Sequence, residues 1–364
     1  MDCFCVKRVA QAFPKEAIFK ANMLKEKVIP IFLVVSLLAP VSLSAETSDT
    51  QISLPTAHSA FVIDAANDQV LFARSPHAKM APASTTKLLS ALVILDTLPM
   101  DQVITVPSSV EKTEPTQIHL HGGERFYVRD LLRAVLIKSA NDAAKTLAIA
   151  CAGSESTFAQ KMNRKAEALG LQDSKFQNAS GLPAEDHYST VYDLVELFQA
   201  AEKNDFLIRT LGIKAMYITS LDGRRIFLKN HNKMLWSERK KVIGKTGWTR
   251  NARHCFVGFI QSGNRKIYVA VLGSKKKWKD LHYFADRYLQ NSTSKPQVMV
   301  KNQESYNIRQ IQAALRQAGF FKRNPTGYFG PVTRHALIRF QKAHHLNPDG
   351  TVGVETWQVL SRYL

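Results

Sequence analysis

The chain has 364 residues, enough for one large domain and a small one, and its apolar content is ordinary for a soluble globular protein. Its formal net charge of +19 points to a polyanionic partner: nucleic acid, anionic lipid or an acidic cell-wall polymer. The nucleic-acid reading lacks support, because the sequence has no RNP-like aromatic pattern, zinc-finger spacing or recognition-helix signature.

In chain order, an apolar run from Val28 to Val41 follows Lys25 and Lys27 and precedes Ser42-Leu43-Ser44-Ala45. At about 14 residues it is short for a bilayer span. A basic start, apolar middle and small-residue end read as a secretory signal peptide, cleaved after Ser44 or Ala45. Residues 1–22 exceed what a signal needs, which points to Met23 as the true start. Cys151 and Cys255 then remain in the exported chain, and their apolar surroundings favour two buried thiols over a disulfide.

Ser59–Asp64 and Gln69–Ala73 read as a hairpin about Asn67-Asp68. Pro82-Ala83-Ser84-Thr85-Thr86-Lys87 then opens an apolar helix through Leu95. Ser84 and Lys87, three residues apart, share a helix face, where a neutral amine can take the hydroxyl proton. By itself this spacing is common, and a plain helix N-terminus explains it equally well. A short strand at Val103–Val106 follows, then an amphipathic helix over Tyr127–Ile137 leading into Ser139-Ala140-Asn141, and helices over Asp142–Cys151 and Thr157–Leu169. Asn178–Pro183 is turn chemistry, and Val191–Ala201 is a further helix. Val242–Gly247, His254–Ile260 and Lys266–Leu272 read as strands, the last two joined at Ser262-Gly263-Asn264. A helix over Leu281–Leu289 closes the region. Strands at both ends with helices between predict an α+β fold, an antiparallel sheet with a helical cluster.

Two further elements supply what Ser84 and Lys87 lack alone. Ser139 can pass a proton between the lysines and a leaving amine. Asn141 can hold the Lys87 amine and a substrate amide. Lys245 can help keep Lys87 neutral and, with Thr246, receive a carboxylate, while Gly247 lets a substrate backbone lie close. The backbone N–H groups of Ser84 and Trp248 would form the oxyanion hole. Ser84-x-x-Lys87, Ser139-x-Asn141 and Lys245-Thr246-Gly247 together are the signature of penicillin-binding proteins and class A β-lactamases. No glutamate-bearing deacylation loop of the β-lactamase kind lies between the second and third elements.

Residues 55–290 resemble the serine D-alanyl-D-alanine carboxypeptidases, the low-molecular-mass penicillin-binding proteins. Pro82–Lys87, Ser139–Ala144, Asn178–Leu182, His187–Thr190 and Lys245–Thr249 carry the likeness. The resemblance implies a β-lactamase/transpeptidase-like fold and a cofactor-free enzyme in the periplasm or cell wall. It would remove the terminal D-alanine of peptidoglycan pentapeptides through an acyl-enzyme on Ser84, with Lys87, Ser139 and Asn141 catalytic and Lys245, Thr246, Gly247 and Trp248 binding substrate. β-Lactams would acylate the same serine. The alternatives are a D,D-endopeptidase cutting crosslinks and an inactive wall-binding protein. Relatives often carry a carboxylate-binding arginine where the last helix begins. Here that place reads Trp278-Lys279-Asp280-Leu281, which leaves the role to Lys279 or Thr246. The C-terminal membrane-binding helix of many relatives is absent from the sequence, so membrane association after signal cleavage is not indicated.

Residues 291–305 read as a linker. Residues 306–364 show two Gly-bearing turns, each followed by Thr and a helix, as in an internal duplication. They resemble the three-helix peptidoglycan-binding domain through Gly327-x-Phe329-Gly330-x-x-Thr333, Phe340-Gln341 and Asp349-Gly350-x-x-Gly353-x-x-Thr356-Trp357. Peptidoglycan is thus expected both as substrate and as this module's ligand. His119 with His121, and His344 with His345, lack the further ligands a metal site needs.

Overall fold

A computed structural model describes residues 55–237, 240–289 and 308–364. The predicted signal segment and the whole predicted linker, 291–305, lie outside the described residues.

β1 (Ser59–Asp64) and β2 (Val70–Arg74) form the expected hairpin. At the other end of the large domain come β7 (Lys241–Thr249), β8 (Arg253–Ser262) and β9 (Arg265–Ser274). β1 pairs antiparallel with β9, so the two ends of the large domain meet in one five-stranded sheet of order β2-β1-β9-β8-β7. The sheet is covered on both faces, which is why β8 and β9 read as nearly continuous apolar runs. α7 (Lys277–Leu289) lies on one face, with Leu281, Phe284 and Ala285 packed against Val62, Phe256 and Val269. α1 (Lys87–Leu95) and α5 (Val191–Glu202) lie in the larger core on the other. β7 is left as the edge strand beside the helical cluster.

That cluster contains α3 (Asn141–Ala152) and α4 (Glu155–Ala168), close to the predicted spans. The helix predicted over Tyr127–Ile137 divides. Arg125–Tyr127 is β4, paired with β3 (Val103–Thr105); Val128–Arg133 is α2; and Ala134–Lys138 is a π-turn ending at Ser139 in the left-handed conformation, φ 61°. Such turns often mark functional positions. α6 (Asp205–Leu211) and the hairpin of β5 (Ala215–Thr219) and β6 (Arg225–Lys229) complete the domain. The sequence is strand-like after Asp222-Gly223, where β6 lies, but patterning had not separated α6 or the mostly exposed β5.

The C-terminal residues form α8 (Ile308–Gln317), α9 (Pro331–Ala343) and α10 (Val354–Leu360) around Leu315, Leu337 and Phe340. Two buried glutamines repeat one arrangement. Gln312 accepts from Gly327 N (2.8 Å) and donates to Thr333 Oγ1 (2.9 Å). Gln341 accepts from Gly350 N (2.9 Å) and donates to Thr356 Oγ1 (3.2 Å). Each glutamine ties a Gly turn to the Thr of the following helix, which gives the suspected duplication a structural basis. This module rests on the larger domain. Arg323 ion-pairs with Glu196 of α5, and the Tyr328 ring stacks on His77 at 5.8 Å and lies 6.0 Å from Phe61.

Candidate active site

Ser84 lies in a 3-10 turn, Ala83–Thr86, that runs straight into α1. Residues three apart eclipse in a 3-10 turn, so Lys87 is carried directly under Ser84. Thr85 Oγ1 donates to Pro82 O (2.7 Å) and braces the turn. Ala83 has φ 48°, a left-handed conformation that costs a non-glycine residue roughly 1–3 kcal/mol and is held by its surroundings.

Lys87 is fully buried. Its Nζ lies 2.6 Å from Asn141 Oδ1, 2.5 Å from Ser180 O and 3.0 Å from Ser84 Oγ. Burial, and then the charge of Lys245, hold its pKa well below the usual lysine range. A neutral amine has two N–H bonds and one lone pair. Asn141 Oδ1 and Ser180 O take the two N–H bonds, which leaves the lone pair for the Ser84 hydroxyl. The Ser180 carbonyl escaped sequence reasoning because any residue type supplies one. The only hint was the turn chemistry of Asn178–Leu182. Asn178 Oδ1 accepts from Ser180 N (3.2 Å) and Gly181 N (2.8 Å) and so shapes that turn. Gly181 is required there: its φ is 81°, and a Cβ would come 1.9 Å from Ala83 O. Ser90 Oγ donates to Ala179 O (2.7 Å) and ties the turn to α1.

Asn141 begins α3, and its Nδ2 donates to Glu114 O (2.9 Å). The neighbouring Asp142 carboxylate accepts from Ile118 N (3.0 Å), Leu120 N (3.1 Å) and Ala143 N (2.9 Å), fixing the 116–121 loop to the helix start. Below the serine turn, His187 accepts from Gln177 N at Nδ1 (3.3 Å), which leaves the Nε2 proton for Thr86 Oγ1 at 3.1 Å. Burial and the charge of Lys87 push His187 down to about 4, so it is a neutral prop at pH 7.

β7 closes the site. Lys245 is 2% exposed, and its Nζ donates to Ser139 Oγ (2.9 Å) and Thr246 O (3.1 Å). Burial, then the charge of Lys277, lowers its pKa to about 7. Gly247 permits a very close approach: a Cβ there would lie 2.9 Å from Ser84 N and 3.0 Å from Ala83 Cβ. Thr246 is buried, whereas the Trp248 side chain is 61% exposed, so Trp248 offers the site its backbone. Ser84, Lys87, Ser139, Asn141, Lys245 and Gly247 thus converge, while Thr246 is buried on the same strand and the Trp248 side chain is turned out to solvent.

The sequence leaves two neighbouring groups open, the lysine at the start of α7 and the cysteine pair. Lys279 is exposed on α7, and it is Lys277, two residues earlier, that is buried and whose charge bears on Lys245 and His254. Burial lowers the pKa of Lys277 to about 8. Lys277, rather than Lys279, is therefore the α7 lysine whose charge reaches Lys245. Cys151 and Cys255 are both free and buried, which settles the open question of their pairing. No group of His, Cys, Asp and Glu suited to a metal occurs among the described residues.

An antiparallel sheet against a helical cluster, with a Ser–Lys pair, a Ser-x-Asn loop and a Lys-Thr-Gly edge strand at their junction, defines a penicillin-binding, transpeptidase-type fold. A solved D-alanyl-D-alanine carboxypeptidase from Mycobacterium tuberculosis H37Rv superimposes with a TM-score of 0.62 at 29% identity, covering 69% of this chain and 96% of that one. The chain belongs to the peptidase S11 family, D-alanyl-D-alanine carboxypeptidase, whose model matches residues 45–276. Residues 304–360 match the putative peptidoglycan binding domain. D-alanyl-D-alanine carboxypeptidase DacF of Bacillus subtilis is 30% identical over 223 residues, 60% of this chain and 57% of that protein. The chain thus spans little over half of that relative's length. A D-alanyl-D-alanine endopeptidase of Pseudomonas aeruginosa is 30% identical over 234 residues, 63% of this chain and 74% of that protein.

Proposed function

We propose that the chain is a serine D,D-carboxypeptidase that removes the terminal D-alanine from peptidoglycan pentapeptide stems. One observation carries the reading most: the Lys87 amine, with its two N–H bonds already engaged, faces Ser84 Oγ at 3.0 Å. Ser84 adds to the penultimate D-alanine carbonyl as Lys87 takes its proton. The Ser84 and Trp248 N–H groups stabilise the oxyanion, a contribution of roughly 3 kcal/mol per donor. Ser139, held by Lys245, delivers a proton to the leaving amine, and the C–N bond breaks. Lys245, Thr246 and Lys277 receive the terminal carboxylate. Water then releases the acyl group from Ser84, with Lys87 again the base. β-Lactams acylate Ser84 by the same route and remain as covalent adducts.

Family and wall-binding module agree with an extracytoplasmic protein. The predicted signal peptide narrows this to export into the periplasm or cell wall. Residues 306–364 hold the enzyme on its insoluble substrate and raise the effective stem concentration. The test is release of D-alanine from a pentapeptide stem by the purified protein and by Ser84→Ala. Release by the first and none by the second supports the reading. Equal release by both, or no release and no penicillin adduct on the unmodified protein, overturns it.

A further inference from the structure

The C-terminal module touches the larger domain on the two segments that support the nucleophile. The Tyr328 ring lies 5.8 Å from the His77 ring with the two planes 14° apart, and the Tyr192 ring lies 4.8 Å from His77. Neither His77 ring nitrogen has a hydrogen-bond partner among the described residues; Asp173 Oδ2 lies 3.6 Å from Nδ1. Burial lowers the His77 pKa to about 4, so the ring is neutral at pH 7. Packing against the two tyrosines therefore fixes His77, rather than polar bonds.

His77 stands seven residues before Ser84, in a segment that runs antiparallel to residues 187–192. Tyr192 N donates to Pro76 O (3.1 Å), Met80 and Ser189 exchange two N–H···O bonds of 2.9 Å, and His187 Nε2 meets Thr86 Oγ1 at 3.1 Å. These contacts form one ladder. At its first rung stand His77 and Tyr192, the rings that Tyr328 covers. At its last rung stands the serine turn itself. The segment is also strained at both ends, with Ser75 at φ 45° and Ala83 at φ 48°. Non-glycine residues hold such conformations only where their surroundings over-determine them. Gly181 and Gly247 press on the Ala83 end. At the Ser75 end, Ser59 Oγ donates to Ser75 O (2.8 Å), and the module supplies the remaining cover through Tyr328.

The module is anchored at this place by more than one ring. Arg323 pairs with Glu196, one turn beyond Tyr192 on α5, and Val332 packs against the same core. Gly330 permits the approach: a Cβ there would lie 3.1 Å from His77 Nε2 and 2.8 Å from Tyr328 Cε1. Tethering to an insoluble substrate needs only a chain connection of suitable length. It does not call for a contact seated on the support of the catalytic serine.

We propose that the peptidoglycan-binding module is also a positioning element of the active site: Tyr328, packed on His77, braces the ladder that sets the Ser84 turn, so that losing this contact slows acylation even by a small soluble substrate. The inference rests on the acyl-enzyme reading of Ser84. Tyr328 and His77 are positioning residues and touch no reacting atom. The chemistry at Ser84 is unchanged by them; the fraction of time the hydroxyl spends aligned with Lys87 and the backbone donors is what they govern.

The test uses the full chain and soluble substrates, on which wall tethering has no effect. kcat and KM for D-alanine release from a pentapeptide stem, and the second-order rate of acylation by a fluorescent penicillin, are measured for Tyr328→Ala, Tyr328→Phe, His77→Ala and the double variant Tyr328→Ala/His77→Ala. Urea unfolding in parallel shows that each is folded under assay conditions. Tyr328→Ala should lower both kcat and the acylation rate about tenfold at unchanged KM. Tyr328→Phe keeps the ring and should stay within about twofold of the unmodified rate. The double variant should be no slower than the slower single variant, because both remove one contact. Should Tyr328→Ala not fold, Tyr328→Leu, which keeps apolar volume without a ring, takes its place with the same expectations. A folded variant lacking the ring that acylates within about threefold of the unmodified rate makes the module a tether alone; it overturns this inference and leaves the carboxypeptidase reading standing. Tyr328→Phe as slow as Tyr328→Ala, or a double variant slowed by the product of the single effects, does the same. Absence of D-alanine release and of the penicillin adduct in the unmodified protein overturns both.

Discussion

Gly247→Ala probes the closest approach in the site. A Cβ there would lie 2.9 Å from Ser84 N, 3.0 Å from Ala83 Cβ and 3.2 Å from Pro82 O. Optimal carbon contacts lie near 3.5–4.0 Å, so relief requires β7 and the 3-10 turn to part by about half an ångström. Both proposed oxyanion donors, Ser84 N and Trp248 N, sit on the parting surfaces. Since loss of one such donor costs about 10²–10³ in rate and a 1 Å misplacement about 10², half an ångström should slow acylation roughly 10- to 100-fold. Overpacking should cost about 1–3 kcal/mol of stability. The assay is the second-order rate of Ser84 acylation by a fluorescent penicillin, with urea unfolding in parallel. Gly244→Ala is the control: its Cβ would strike Val257 O at 2.3 Å and Gly258 Cα at 2.8 Å, within the sheet and away from Ser84. It should lose stability at least as severely. If Gly247→Ala acylates within about threefold of the unmodified rate, the two backbone donors do not work as a spaced pair and the argument fails.

Three further outcomes follow from the buried charges and thiols. Lys277→Met removes a positive neighbour of Lys245, whose pKa then rises from about 7. The alkaline limb of kcat/KM for a carboxylate substrate should move to higher pH, and KM should rise about tenfold; a limb that stays or moves down refutes the coupling. Lys245 has its folded pKa depressed, so between about 7 and 10.5 the unfolded chain holds the extra proton. Stability from this group therefore falls as pH drops through that window, and Lys245→Met should be more stable at pH 7, on the order of 2 kcal/mol, while losing activity. Urea unfolding at pH 7 and 9.5 checks both the gain and its narrowing at the higher pH. Burial pushes the Cys255 thiol up to about 12. Peptide mapping after iodoacetamide at pH 8 should find Cys255 unmodified in the native protein and alkylated in urea. Rapid native modification would mean that the β7–β8 region opens readily.

Much of the fold was legible because apolar periodicity survives in the sequence wherever an element has a buried face. The β1–β2 hairpin, α3, α5, β8, β9 and α7 all have one. β5 was missed where that face is thin, and the π-turn before Ser139 was missed because one extra residue in a helical turn leaves no signature in residue type. In the C-terminal module the glycines and threonines were visible as a repeat. Their partners Gln312 and Gln341 explain it only once seen buried.

The candidate site divides along the same line. Ser84 with Lys87, Ser139 with Asn141, and Lys245 through Trp248 are each local in the chain, so spacing alone announces which groups can act together. Sequence also bounded the family and the two-part organisation. Tertiary structure decided what spacing does not carry. It buried Lys277 and left Lys279 exposed, because the face of α7 turned to the sheet is a packing result. It supplied the Ser180 carbonyl, a backbone group that no residue code names. It brought three lysines, distant in the chain, close enough to depress one another's charge. A lysine becomes a base through desolvation and neighbouring charge, and both depend on distances that only the folded chain sets.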